Sequence, residues 1–154
     1  MRKFLSIAVV AAALACGGDD STAPSASYEN IAGTYNGALA GISQGVALDA
    51  VFSLTITQSG GTLGGSSSIA GTLNDGVDVV QVLGTGSLTG TIASGNNPSV
   101  RVTVTSGLCP NVDITWSGTY DNTNRVITLN GTLPILNSSC QVVLSYSSTV
   151  ILTR

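Results

Sequence analysis

The chain contains no histidine, and its one lysine is Lys3. Histidine is the usual general base near neutral pH, and lysine is the residue that forms Schiff bases. Because the chain beyond Lys3 has neither residue, it cannot use Ser-His-Asp, Cys-His or Schiff-base mechanisms. Paired carboxylates are the remaining option, but Asp75 and Asp78 flank a predicted turn, where aspartate side chains bond their own backbone. We therefore predict that the protein is not an enzyme and uses no cofactor; the open alternative is an unusual site built from Ser, Thr, Tyr and Asp.

Positive charge is scarce throughout the sequence. Five Lys and Arg residues stand against eight Asp and Glu, and beyond Lys3 the basic residues are Arg101, Arg125 and Arg154. Nucleic-acid binding and polybasic membrane binding both require clustered basic side chains. We therefore expect no nucleic-acid partner, and any membrane attachment must have another origin.

The apolar run at the N-terminus is too short to span a membrane. It covers residues 4–14, about half of the roughly 20 residues that a transmembrane helix needs. Arg2 and Lys3 precede it, and small residues lead from it to Cys16. A basic start, a short apolar segment and a small-residue cleavage site are typical of a secretory signal peptide. We predict that residues 1–15 are removed and that the protein is exported.

The tetrapeptide Ala13-Leu14-Ala15-Cys16 resembles the lipobox of bacterial lipoprotein precursors. The resemblance implies that Cys16 becomes the mature N-terminus and carries a diacylglyceryl thioether and an N-acyl chain such as palmitate. Several acyl chains anchor a protein stably, whereas one gives marginal binding. Gly17 after the cysteine implies, by the same resemblance, the outer membrane on its periplasmic or cell-surface face, or otherwise the extracytoplasmic face of a single membrane. The alternative is an ordinary secretory signal cut near Ala15.

Two further cysteines, Cys109 and Cys140, are predicted to form a disulfide because exported proteins meet an oxidising compartment. If segments 112–120, 125–133 and 140–153 run up, down and up, both cysteines lie at the same end of the sheet. The alternative is a metal or reactive-thiol pair, but no histidine and no third cysteine ligand accompany it. We therefore expect no metal site.

The remaining chain divides into a tether and one domain. Residues 16–30 are small, polar and without periodicity, which is typical of a flexible linker. From residue 31 to residue 154, apolar residues alternate with mostly polar ones, as at Leu48, Ala50 and Phe52, which indicates strands with one buried face. Turn residues separate about eight or nine strands: 33–41, 47–58, 62–73, 77–83, 86–93, 99–105, 112–120, 125–133 and 140–153. We predict an all-β antiparallel up-and-down meander that closes into a small barrel, with a β-sandwich as the alternative.

A five-residue pattern of apolar, any, Gly, Thr and apolar residues recurs around Gly33, Gly71, Gly90, Gly118 and Gly131. Glycine inside a strand usually marks a bend, a bulge or a close approach of another backbone. Repeated use in one sheet fits the curvature of a small closed barrel. Chance pairing of glycine with threonine in this composition is the alternative.

Two of these patterns, around Gly33 and Gly118, give the domain a resemblance to the calycin group, which contains the lipocalin and avidin-type barrels. The segments are Ile31-Ala32-Gly33-Thr34-Tyr35 and Trp116-Ser117-Gly118-Thr119-Tyr120. What the resemblance implies is a barrel architecture; it carries no binding residue with it.

Five aromatic residues mostly share the inward phase of the predicted strands: Tyr35, Phe52, Trp116, Tyr120 and Tyr146. They are either core or the lining of an apolar cavity, because an eight-stranded barrel is just wide enough to be filled or to hold one small ligand. We expect a lipid-anchored, non-catalytic envelope protein that binds a small apolar ligand in the barrel. The alternative is a surface or assembly module that binds protein or glycan through its Ser/Thr-rich sheet face.

Overall fold

The computed structural model describes residues 26–109 and 112–154. Cys16 and the predicted signal peptide lie outside these residues. The described chain forms eight strands and no helix: β1 (Gly33–Ser43), β2 (Val46–Ser59), β3 (Thr62–Asn74), β4 (Val79–Ile92), β5 (Ser99–Ser106), β6 (Asp113–Asp121), β7 (Val126–Leu136) and β8 (Val142–Thr153).

The strands form a closed antiparallel barrel in sequence order. Each strand pairs with the next, and β8 returns to pair with β1 through Asn36 and Thr153. Short turns make this order possible. Gln44 and Gly45 connect β1 to β2, and both have positive φ, as a type I′ hairpin turn requires. The predicted all-β meander and its closure into a barrel are confirmed, and the sandwich alternative is wrong.

The main difference from the predicted strands lies in β4, whereas the ends of the other strands shift by a few residues. Segments 77–83 and 86–93, predicted as separate strands, form the single strand β4. The interruption at Gly84 and Gly86 is not a turn, because both residues pair with β3, opposite Ile69 and Ser67. The result is a long β3–β4 hairpin.

Inward-facing apolar residues fill most of the barrel. On β2 the alternation predicted from Leu48 to Ile56 is observed, and every second residue is buried. Full burial of one such large apolar side chain stabilises a fold by about 1.5–3 kcal/mol. The alternating pattern therefore fixes which face of each strand points inward.

Close packing around the recurring glycines confirms the close-approach interpretation. A Cβ on Gly131 would lie 2.7 Å from ring atoms of Trp116, its cross-strand partner. A Cβ on Gly118 would collide with the backbone carbonyl of Thr128 on β7. These glycines allow neighbouring strands and a large aromatic ring to approach as curvature demands.

The N-terminal residues cover one end of the barrel, here called the closed end, where the β2–β3, β4–β5 and β6–β7 connections lie. The side chain of Gln58 accepts a hydrogen bond from the Ile31 N–H (2.8 Å) and donates to the carbonyls of Glu29 and Gly60 (both 2.9 Å). Ile31 is completely buried. The opposite end, here called the open end, carries the remaining four loops.

Candidate binding cavity

The barrel wall is incomplete towards the open end, beside β4. The β4–β5 ladder ends at Gly86 and Ser106, so residues 79–85 of β4 extend past the end of β5. A single bond continues this contact, from the Gly107 N–H to the Thr85 carbonyl (2.8 Å). A cavity of about 590 Å³ lies between this extended hairpin and the β5–β6 and β7–β8 loops.

The lining of this cavity, here called the ligand cavity, is mainly apolar. Phe52 and Trp116 stack beside each other, with ring centroids 5.7 Å apart and planes inclined by 28°. Further apolar side chains come from the five strands β3 to β7: Ile69, Leu73, Val80, Val82, Val104, Ile114, Leu133 and Ile135. The polar lining includes Ser67, Ser106 and Asn137. None of the described residues that line the cavity is charged.

The predicted disulfide is present and lies at the edge of the cavity. Cys109 in the β5–β6 loop is bonded to Cys140 in the β7–β8 loop, with the Cα atoms 5.6 Å apart, and both line the cavity. As predicted, the two loops occupy the same end of the barrel. The Asn137 Oδ1 atom accepts bonds from the N–H groups of Ser139 and Gln141 (both 3.0 Å), which orders the second loop.

Exposed apolar side chains are concentrated around the open end. Val77 on the β3–β4 loop and Leu108 on the β5–β6 loop are 89% and 78% exposed. Others are on nearby strand ends: Ile42, Val79, Val80, Leu83, Val142 and Val143. An apolar entrance lowers the cost of moving an apolar molecule from water towards the cavity.

Two of the five predicted lining aromatics border the cavity, Phe52 and Trp116. Tyr35, Tyr120 and Tyr146 are buried elsewhere in the barrel. The aliphatic lining residues were not singled out from the sequence, although their alternation marks them as inward-facing. Alternation does not show which inward residues lie at the end that is left unfilled.

The buried tyrosines differ in how their hydroxyl groups are satisfied. The Tyr146 hydroxyl donates to the carbonyl of Val46 (3.2 Å). The Tyr35 hydroxyl is buried and has no hydrogen-bond partner within the described residues. Burial raises the pKa of Tyr35 to about 12, with a further contribution from neighbouring Tyr120, and burial also raises the pKa of Tyr146.

We expect Tyr35→Phe and Tyr146→Phe to have different effects on stability. Tyr35→Phe removes an unsatisfied buried hydroxyl and should leave the free energy of unfolding unchanged or raise it, whereas Tyr146→Phe should lower it by about 1 kcal/mol. The raised pKa of Tyr35 contributes stability below about pH 10 that is lost as the pH rises through about 12. Urea denaturation at neutral pH and across this alkaline range measures both effects. Equal losses in both variants at neutral pH would contradict the assignment.

A second concavity lies on the outer surface, and hydroxyl groups line it. This groove, here called the hydroxyl groove, has a volume of about 530 Å³. Its outward-facing lining residues are Ser53, Thr55, Ser66, Ser68, Thr85, Ser87 and Thr105. Several hydroxyls already have protein partners: Ser53 donates to Asn36 (2.6 Å) and Thr105 to Asp113 (2.6 Å). These bonds stabilise the sheet and reduce the capacity of the groove to bind a polar ligand.

The part of the chain at residues 26–109 and 112–154 contains no group of three or more Cys, Asp or Glu residues placed to hold a metal ion. It also contains no helix of the length and hydropathy required to cross a membrane.

Comparison of the chain with protein-family models, with curated proteins and with solved structures finds no match. The geometry and chemistry of the cavity are therefore the basis on which a function is proposed.

Proposed function

We propose that the protein is a non-catalytic binding protein that holds one small apolar molecule in the ligand cavity. The supporting observation is the cavity: about 590 Å³, open at one end and lined mainly by apolar side chains. Small-molecule sites typically have about 300–1,000 Å³ and combine apolar walls with a few polar groups. The Phe52–Trp116 pair borders the cavity with small exposed areas, 4% of Phe52 and 1% of Trp116.

The hydroxyl groove supports a second candidate function, the binding of protein or glycan. Its volume is comparable, at about 530 Å³. However, hydroxyls such as those of Ser53 and Thr105 are engaged within the sheet. Because a glycan would have to compete with these bonds, we favour the apolar cavity.

We also propose that the protein is exported and that Cys16 is acylated. The described chain begins at residue 26, and Ile31 is held against the closed end through Gln58. An acylated Cys16 would therefore attach the barrel to the bilayer at its closed end, through the predicted flexible linker of residues 16–30. Intact-mass analysis of the mature protein tests this: a mass equal to residues 16–154 plus acyl groups supports the anchor, and an unmodified N-terminus contradicts it.

Fluorescence titration tests the cavity directly, because Trp116 is the one tryptophan of the chain and borders the cavity. We expect saturable changes in its emission with at least one member of a panel of long-chain alcohols, retinoids and sterols. Val82→Phe adds bulk inside the cavity and should weaken binding about tenfold or more, consistent with an overpacking cost of about 1–3 kcal/mol.

The matched control is Val51→Phe, because Val51 is 53% exposed on the outer face of β2 and does not line the cavity. It receives the same added volume and should bind like the wild type. No emission change with any ligand would contradict the proposed function, as would unchanged affinity in Val82→Phe.

A further inference from the structure

Positive charge is remote from the ligand cavity. Arg125 lies in the β6–β7 turn and Arg154 follows β8, so both are at the closed end. Arg101 is exposed on the outer face of β5, where it pairs in register with Ser117. These are the arginines of the described residues, which contain no lysine. An anionic ligand in the cavity would therefore find no cationic partner in this part of the chain.

The open end instead carries negative charge. Asp75 and Asp78 lie in the β3–β4 loop, and Asp113 begins β6 at the same end. The Asp75 carboxylate accepts bonds from the N–H groups of Asp78 (2.7 Å) and Val77 (2.9 Å). These bonds hold the pKa of Asp75 below its usual value, so the carboxylate is ionised at neutral pH. The entrance thus repels anions, although salt screens this repulsion.

Inside the cavity the polar partners are neutral. Ser67 is 7% exposed, and the one hydrogen bond of its hydroxyl to the described residues is a long contact with the Gly86 carbonyl (3.5 Å). Ser106 and Asn137 provide further uncharged groups. Such a lining can satisfy a hydroxyl, ester or amide, but burying a carboxylate without a cation is strongly unfavourable.

We propose that the ligand is an uncharged apolar molecule, such as a long-chain alcohol, an ester or a retinol-like compound, and that the cavity discriminates against the corresponding carboxylates. This inference rests on the proposed function and adds the chemical class of the ligand. The discrimination against carboxylates is expected whether the polar end of the ligand lies deep in the cavity or at its entrance. A carboxylate placed deep in the cavity lacks a partner, and one placed at the entrance faces the acidic loop.

Paired ligands that differ only in their polar end test this inference. Decanol against decanoate and retinol against retinoate are titrated at about pH 8, where carboxylic acids are ionised, with Trp116 emission as the readout. We expect each alcohol to bind at least tenfold more tightly than its acid. Decanoate and retinoate binding as tightly as the alcohols, or more tightly, would overturn the inference while leaving the proposed function in place. Failure of all four ligands to bind would overturn the inference, and failure of the sterols as well would overturn the proposed function.

A charge-insertion variant separates charge from shape. Val80 lines the cavity near the entrance and is 57% exposed, so a long polar side chain is accommodated there. Val80→Arg supplies a cation and should raise affinity for decanoate and retinoate about tenfold, whereas the uncharged control Val80→Gln should not. Equal carboxylate affinities in the two variants would overturn the charge argument.

Discussion

Replacing Gly118 with alanine is expected to lower the free energy of unfolding by about 4 kcal/mol or more, or to prevent folding. A Cβ at this position would collide with the carbonyl oxygen of Thr128 on β7, and it would also crowd the backbone of Leu129. Both contacts are with backbone, so no side-chain rotation can relieve them. The β6–β7 ladder would have to separate at this point, because a close-packed interior leaves no room for the added atom.

The matched control is Gly84→Ala on β4. There the nearest atom to a new Cβ is the Cγ2 methyl of Ile69 at 3.1 Å, and that side chain adjoins the cavity and can shift. Alanine in a strand is also favoured over glycine by up to about 1 kcal/mol. Urea denaturation followed by circular dichroism should find Gly84→Ala close to the wild type. Similar destabilisation by the two substitutions would contradict the close-approach account of Gly118.

Removal of the disulfide is expected to be the second large effect. Cys109 and Cys140 are separated by 31 residues, and the chain-entropy model gives about 3–4 kcal/mol for a loop of this size. The double variant Cys109→Ala/Cys140→Ala should therefore lower Tm by about 10–15 °C. Because the bond ties two loops at the edge of the ligand cavity, its loss should also weaken ligand binding.

Thermal unfolding of the oxidised wild type, the reduced wild type and the double variant measures this effect. The reduced protein and the double variant should agree, and a reductant should not change the double variant. If reduction leaves the Tm of the wild type unchanged, the bond does not stabilise the barrel as proposed.

The strands and their inward faces were predictable from local alternation, as on β2 between Leu48 and Ile56. Local signals suffice there because a strand with one buried face repeats every two residues. The same alternation wrongly predicted two strands in place of β4, separated near Gly84, because a glycine-rich strand and a turn have similar sequences. Only the pairing of Gly84 and Gly86 with β3 distinguishes them.

The ligand cavity was predictable only in part. Phe52 and Trp116 were expected from their phase and size, but the aliphatic walls were not, because they depend on where β5 ends relative to β4. That offset is a property of the barrel register and not of any single segment. The disulfide could be predicted from the sequence, because the up-and-down strand order alone places Cys109 and Cys140 at the same end of the barrel.

Lipid attachment at Cys16 and the identity of the ligand stay predictions, and each rests on a different part of the chain. The anchor rests on the N-terminal sequence pattern alone. The ligand class rests on the contrast between an uncharged cavity and the acidic loop around Asp75.

A crystal structure of the protein grown with retinol tests most directly whether this barrel takes up an uncharged apolar molecule. We predict electron density for the ligand against the rings of Phe52 and Trp116, beneath the Cys109–Cys140 bridge. A cavity filled by rearranged side chains, or a ligand found in the hydroxyl groove instead, would contradict the account.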